Sequence, residues 1–557
     1  MNPIIIMAVG MAIVIGGILL FRWHAFLSLL AGALAVALLT PTTARLRGEL
    51  TSTAIEIVAV DNTTLTLATG SDIASLPNTV SVLRGVHDAS DAVQRIGELE
   101  WTFAPTDAND RGEIRVNISG AVAGSIRSGD SLISQAAYEA AEAISNESAA
   151  DSIATGFGDT CRKIGILIAL AAIIGACLLE SGAARRIVDT LRVRLGVERT
   201  PMAFMLSGFV VGIPVFFDTV FYLLLPLAKA MYQRTGKDYV LLVMSVVVGG
   251  TMAHSLVPPT PGPLFVANEL GVAIGTMMLA GIAIGLFASF CGFAYVKASN
   301  RWWPISPPEM AIQLSDDAQQ SAALEASSER SRMPSLLASL VPILLPVMLL
   351  SVATFWTSDE PNASIVQATL AFLGDKNIAL GISAAFALVL LWRYPGRTNS
   401  SAAVGAAITG AGGIILLTAA GGAFGHVLRQ TGISEELQQR FLGANSGFAL
   451  LWLAFGLTAL VRFAQGSATV AMITSVAIVS PLAATGSLAF HPVYLALAVG
   501  CGSKPLPWMN DSGFWVVGRM SGFTERETLR TFSVTLSVMG ISGFAATLIA
   551  AWLFPAI

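Results

Sequence analysis

Between Gly212 and Tyr222 the chain reads GIPVFFDTVFY, with one carboxylate, Asp218, set among apolar and aromatic residues after a Gly-Ile-Pro break. AFMLSGFVV stands upstream and LLLPLA downstream, so no neighbour in sequence offers a counter-charge. Burying an ionised carboxylate is costly unless it pairs, coordinates or takes up a proton. Proline lacks the N–H that a continuing helix needs, so the backbone is interrupted where the charge sits. A charge kept at a break in apolar sequence marks a polar site inside a membrane protein.

Composition agrees. The 557 residues are 54% hydrophobic and 12% charged, with mean hydropathy +0.70. Soluble domains carry roughly 25% charged residues. Apolar runs cover residues 3–20, 164–179, 272–295, 335–355, 377–392, 402–420 and 531–554, and several reach the roughly 20 residues a spanning helix requires. The N-terminus, MNPIIIMAVG, lacks a basic n-region and reads as a first spanning helix, not a cleaved signal. Cys161, Cys177, Cys291 and Cys501 have no metal or redox spacing and read as small core residues. No nucleophile–base pair, phosphate loop or metal-ligand spacing stands out. The expectation is no enzyme, no cofactor, no metal and no nucleic-acid partner.

Residues 1–40 hold two expected membrane helices. Residues 41–150 then break the pattern with 15 Asp/Glu against 7 Arg and no Lys. IEIVAVDNTTLTLAT alternates with period two around an Asp-Asn turn, as a β-hairpin does. WTFAP and GEIRVNISG read as further strands and SLISQAAYEAAEAISNES as a helix. This predicts a small soluble α+β insertion on the extracytoplasmic side. Residues 151–296 continue the first half, 297–334 read as a polar cytoplasmic linker, and 335–557 form a second half.

The halves resemble each other. GACLLESGAARRI (175–187) answers GHVLRQTGISEEL (425–437), GIPVFFDTVFY answers RFAQGSATVAM (462–472), and HSLVPPTPGPLF (254–265) answers KPLPWMNDSGFW (504–515). Three features in one order, about 250 residues apart, indicate duplicated halves of the kind secondary transporters use. The flank after the first motif carries Arg185, Arg186, Arg192, Arg194 and Arg199, whereas its counterpart has Glu435, Glu436 and Arg440. Excess Lys and Arg mark cytoplasmic flanks, so the halves are expected to be inverted.

The same rule reads 201–232 as a re-entrant hairpin with its tip near Gly212–Asp218, since both basic flanks then stay inside. Its partner is a hairpin over 449–480 with a tip near Gln465-Gly466-Ser467. Two Pro-rich segments predict broken helices over 240–270 and 493–518. The fold class expected is therefore an all-α polytopic membrane protein with inverted repeats, two re-entrant hairpins, two broken helices and the α+β insertion. Tracing sides gives ten crossings plus two hairpins. Arg162 and Lys163 fall on the wrong side of that trace.

At these motifs the sequence resembles the gluconate permease family of gluconate:proton symporters, in GFVVGIPVFFDTVFYLLLP, HSLVPPTPGP, GGAFGHVLRQTG, RFAQGSATVAMIT and NDSGFW. The resemblance covers most of 1–40 and 151–557. It implies an inverted-repeat transporter of the inner (plasma) membrane, moving in an elevator-like way. It further implies a small organic anion, gluconate or a related hydroxylated monocarboxylate, carried with protons; a homodimer is what elevator carriers in general suggest. Four features depart from the family pattern: Thr260 before Pro261-Gly262-Pro263, Lys504 to Met509 ahead of the Asn-Asp pair, Ser512 in place of a proline, and the insertion over 41–150.

Asp218 and His254 stand at breaks and read as proton-coupling and substrate groups, Asp218 having a helix cap as its alternative role. Asp511 joins them as a proton-coupling candidate and, with Asn510, as a group whose oxygens could hold a cation or substrate hydroxyls. Lys504, in the position answering His254, reads as the partner of a substrate carboxylate, with Asp511 or the interface as alternatives. Gly466, Ser467 and Thr469 at the second tip offer hydroxyls and free N–H groups where a helix start favours anions; tight helix packing is the competing explanation. Thr219, Thr260 and Asn510 complete the expected substrate set. Sodium coupling on the same architecture, and a membrane sensor using the insertion as its receptor, are the alternatives.

Overall fold

The computed structural model describes residues 3–21, 23–53, 55–61, 64–67, 79–84, 86, 93–106, 114–119, 126–128, 130–196, 198–302, 305, 333–356, 365–394, 400–432, 447–483 and 488–555. Most of the linker expected over 297–334, and the flank holding Glu435 and Glu436, lie outside the described residues.

The chain opens with α1 (Pro3–Leu19), α2 (Ala25–Leu39) and α3 (Thr42–Thr53). Among the described residues six strands follow: β1 (Ile55–Asp61), β2 (Thr64–Leu67), β3 (Thr79–Arg84), β4 (Gln94–Thr106), β5 (Ile114–Ser119) and β6 (Ser131–Ser134). They close into an antiparallel barrel in the order β1-β2-β5-β4-β3-β6. The period-two stretch supplies β1 and β2, which pair with Asp61 opposite Thr64.

The helix expected from Ser131 begins four residues later, as α4 (Gln135–Ser145), capped by the Ser134 side chain. Ser131–Ser134 instead pairs with both β1 and β3 and closes the barrel. Leu132 and Ile133 are both 1% exposed, which a strand sandwiched between the barrel interior and the α3–α4 layer allows. Arg45, itself buried, donates to the carbonyls of Ala37 and Glu147. That one side chain ties the start and the end of the insertion to the C-terminal end of α2.

Beyond the insertion run α5 (Ala149–Glu180), α6 (Ala183–Leu195), α7 (Thr200–Gly212), α8 (Phe217–Thr235), α9 (Tyr239–Leu256), α10 (Pro261–Glu269) and α11 (Ile274–Trp302). The second half has α12 (Leu336–Trp356), α13 (Ile365–Leu373), α14 (Lys376–Arg393), α15 (Ser400–Arg429), α16 (Gly447–Gln465), α17 (Ala468–Ala483), α18 (Val493–Gly502), α19 (Ser512–Ser521) and α20 (Glu525–Leu553). A π turn at Cys161–Gly165 interrupts α5 and carries Arg162 and Lys163. Among the described residues seven helices are long and apolar enough to cross a membrane. By contrast α7, α10, α18 and α19, of 13, 9, 10 and 10 residues, reach only about 14–20 Å at about 1.5 Å per residue. The hydrocarbon layer is about 30 Å thick.

The two halves repeat element by element. α8, α10 and α11 start at 217, 261 and 274; α17, α19 and α20 start 251 residues later, at 468, 512 and 525. Gly182 and Gly432, which end α5 and α15, both adopt left-handed φ, at 74° and 70°. Contacts between the halves are reciprocal as well: α10 packs on α17 and α19 on α8, while α5 packs on α15 and α11 on α20. Two-fold-related units produce this pattern, because whatever one copy offers the other, it also receives. Within a half, α7 crosses α9 closely enough that a Cβ on Gly249 would fall 2.0 Å from the Met205 carbonyl. Small residues permit such approach where lipid supplies no hydrophobic drive.

Candidate functional site

The interrupted elements of both halves meet around one cavity of about 200 Å³. The loop joining α7 to α8 contributes Phe216, and α8 begins with Phe217 and Asp218. α9 contributes Thr251 and His254. From the second half come Arg462 at the end of α16, the tip Gly466-Ser467, and Ala468 and Thr469 at the start of α17. Lys504, Asp511, Ser512 and Gly513 enter from the gap between α18 and α19, and Phe532 and Leu536 of α20 supply an apolar wall. Asp218 and Thr469 are repeat-related, each the second residue of the helix that follows a tip.

Two charges are committed to one another. The Arg462 guanidinium, 5% exposed, donates to the Asp511 carboxylate and to the Gly466 carbonyl. Asp511 is the N-cap of α19, its Oδ1 accepting from the Gly513 N–H at 2.7 Å. The other two are not. Lys504, 3% exposed, donates from Nζ to the Thr251 carbonyl at 2.6 Å, and among the described residues no carboxylate lies in ion-pair range of it. Asp218 is half-buried, and among the described residues no hydrogen bond or cation reaches it. Its alternative role as a helix cap is not realised, since Phe216 is the N-cap of α8 and makes no side-chain cap bond. His254 lies against the Phe216 ring at 5.6 Å, and among the described residues its buried Nδ1 has no partner.

At the second tip, the Ser467 hydroxyl accepts from the Val470 N–H at 3.4 Å. The N–H groups of Ala468 and Thr469, in the first turn of α17, stand at the cavity with the positive end of the helix dipole. The site therefore holds an internally neutral Arg462–Asp511 pair, one further cation, one further carboxylate, and an anion-favouring helix start.

Of the residues singled out from sequence, Asp218, His254, Gly466, Ser467, Thr469, Lys504 and Asp511 line this cavity, and Thr219, Thr260 and Asn510 do not. Thr219 stands one position, about 100°, further round α8. The Thr260 hydroxyl is committed to the carbonyls of His254 and Val257 at 2.9 and 2.8 Å, sealing the C-terminal end of α9. Asn510 donates to the Phe463 carbonyl at 2.8 Å. Arg462, Thr251 and Ser512 are cavity residues that the sequence-based substrate set omits. Ser512 carried a signal, as the departure from the family's proline. Thr251 carried none, because it enters through its backbone.

Residues 131–553 match the GntP family permease profile. The chain is 33% identical over 404 residues to an uncharacterized permease of Haemophilus influenzae, covering 72% of this chain and 82% of that one. It is 30% identical over 412 residues to the Gnt-II system L-idonate transporter of Escherichia coli, covering 73% and 90%, and 29% identical over 401 residues to a gluconate permease of Pseudomonas aeruginosa, covering 72% and 86%. In fold it is similar to the Neisseria gonorrhoeae efflux pump MtrF, with a TM-score of 0.54 at 14% identity over 82% of this chain and 90% of that one. The chain belongs to the GntP permease family and is a multi-pass permease of the plasma membrane.

Proposed function

We propose that this permease is a secondary active carrier that takes up a small hydroxylated monocarboxylate, gluconate or a close relative, together with a proton. Relatives named for gluconate and L-idonate support the substrate class. The observation that carries the reading is the pair of uncommitted charges in one cavity, Lys504 and Asp218. A cation that is 3% exposed and lacks an acidic partner is a natural seat for a substrate carboxylate. The first turn of α17 adds N–H donors to the same anion, and Ser467, Thr469 and Ser512 are the hydroxyls available to a polyol chain. About 200 Å³ is small beside common ligand pockets of roughly 300–1,000 Å³, which suits a single small acid.

Charge conservation then explains coupling. Arg462 and Asp511 cancel, so the variable charges are Lys504, Asp218, the substrate and the proton. The empty cavity is neutral. Substrate alone makes it −1, a proton on Asp218 alone makes it +1, and both together restore neutrality. A net charge carried through the low-dielectric interior costs several kcal/mol, so empty and doubly loaded forms reorient while half-loaded forms do not. His254, facing the same space, relays or shares the proton. On this reading the halves are inverted, one tip faces each side of the bilayer, and the insertion lies outside.

Proteoliposomes given gluconate under an imposed proton or sodium gradient test this. Proton-driven accumulation is expected, and accumulation driven by sodium alone would transfer the coupling role to that ion. Asp218→Asn, locked in the protonated charge state, should retain substrate counterflow and lose proton-driven accumulation. Wild-type accumulation in that variant would remove Asp218 from the mechanism.

A further inference from the structure

The two tips are held very differently. At the second, Arg462 bridges the Gly466 carbonyl and the Asp511 carboxylate. The Phe463 carbonyl, left without a helical donor near the end of α16, accepts from both Trp508 Nε1 and Asn510 Nδ2, each at 2.8 Å. The Phe463 and Trp508 rings stack at 5.5 Å. Gly466 itself presses on the Asn510 carbonyl so closely that an added Cβ would lie 2.2 Å from it. Residues 462–467 and 508–511 are thus laced into one piece. Among the described residues no hydrogen bond joins the first tip, 213–217, to the corresponding gap at 257–260.

We propose that Arg462 and Asp511 are a positioning pair, which welds the second tip to the second gap so that Ser467, Thr469 and Lys504 form one rigid substrate-binding wall, and that neither carries the transported proton. The assignment rests on the carrier function proposed above and refines it. Both Asp511 oxygens are already engaged, Oδ2 by Arg462 and Oδ1 by the Gly513 N–H. Protonating that carboxylate would break the lacing that shapes the wall, so a carrier using it as its proton site would lose its substrate seat each cycle. A lysine replaces Arg462 poorly, because separate guanidinium nitrogens serve the Gly466 carbonyl and the Asp511 carboxylate, whereas an ammonium offers a single nitrogen. With the second wall fixed, the first tip, Phe216 to Asp218, is the one that yields during access.

The experiment measures KM for gluconate and the pH profile of uptake in proteoliposomes for Arg462→Lys, Asp511→Asn, Trp508→Phe and Asp218→Asn. The titratable or charged groups facing the cavity are Asp218, His254, Arg462, Lys504 and Asp511, so a changed profile is assignable among these. Positioning predicts KM raised about tenfold or more for Arg462→Lys and Asp511→Asn, from loss of charge-assisted bonds. Trp508→Phe, losing one neutral bond on a 40%-exposed side chain, should raise KM about fivefold. Arg462→Lys and Trp508→Phe, which leave the charge of the cavity unchanged, keep the wild-type pH profile and proton-driven accumulation. A flattened profile in Asp511→Asn with KM unchanged would make Asp511 the proton carrier and overturn the assignment. Should the two buried variants fail to fold, Trp508→Phe decides alone, and an unchanged KM there rejects the lacing. Failure of the underlying function reads out elsewhere, as wild-type protein showing no proton-driven uptake.

Discussion

Gly466→Ala perturbs the site through its backbone, and its cost can be worked from the geometry. Gly466 has φ of 83°, and its missing Cβ would sit 2.2 Å from the Asn510 carbonyl oxygen, against a practical floor of 3.0 Å. An alanine in the left-handed region costs about 1–2 kcal/mol. The tip must also retreat from Asn510 by about 0.8 Å, which stretches the bonds from Trp508 and Asn510 to the Phe463 carbonyl. Losing one or two such bonds adds about 1 kcal/mol each. The total, about 2–4 kcal/mol, falls on the segment that presents Ser467 and Thr469. At about 1.4 kcal/mol per factor of ten, substrate affinity should weaken by roughly 30-fold or more. Gly456→Ala, inside α16 ahead of the tip and with nothing within 4 Å of the added Cβ, is the control and should leave affinity unchanged. Counterflow KM in proteoliposomes, with the thermal midpoint of the purified protein recorded in parallel, provides the assay. A Gly466→Ala carrier with wild-type KM would refute the claim that close apposition of tip and gap builds the site.

Two further outcomes can be checked, one drawn from the structure and one from the charge rule applied to the sequence. The Arg429–Glu269 pair, 2.9 Å apart, joins α15 of one half to α10 of the other, with Glu269 4% and Arg429 39% exposed. Arg429→Gln strands a buried carboxylate and should cost about 2–3 kcal/mol, whereas Glu269→Gln leaves a cation that can turn outward and should cost about 1 kcal/mol; thermal midpoints in the reverse order would contradict this. Glu198→Cys and Ser434→Cys, in a background lacking the four native cysteines, should react with an impermeant maleimide from opposite faces of the membrane. Labelling from one face would exclude inverted halves.

Short-range chemistry was legible in the sequence alone. The lack of charge made the chain a membrane protein, because a bilayer admits few ionised groups. Helices stop at Gly212, Leu256 and Gly502, close to prolines or glycines whose effect on the backbone needs no tertiary context. The family was readable because its motifs are contiguous. Ser131–Ser134 was not, since its strand exists only by pairing with β1 and β3, which lie far off in sequence.

Only the tertiary structure decided which polar groups are spoken for. Arg462 meets Asp511 across 49 positions, and Lys504 meets the Thr251 carbonyl across 253; nothing in the residue types foretells either partnership. Thr260 looked available and is consumed by two carbonyls at the end of its own half's α9. The sequence fixes how costly each buried charge is, because desolvation depends on chemistry. Whether that cost is met by a neighbour or left open to a substrate depends on distances between helices, and those are set by packing.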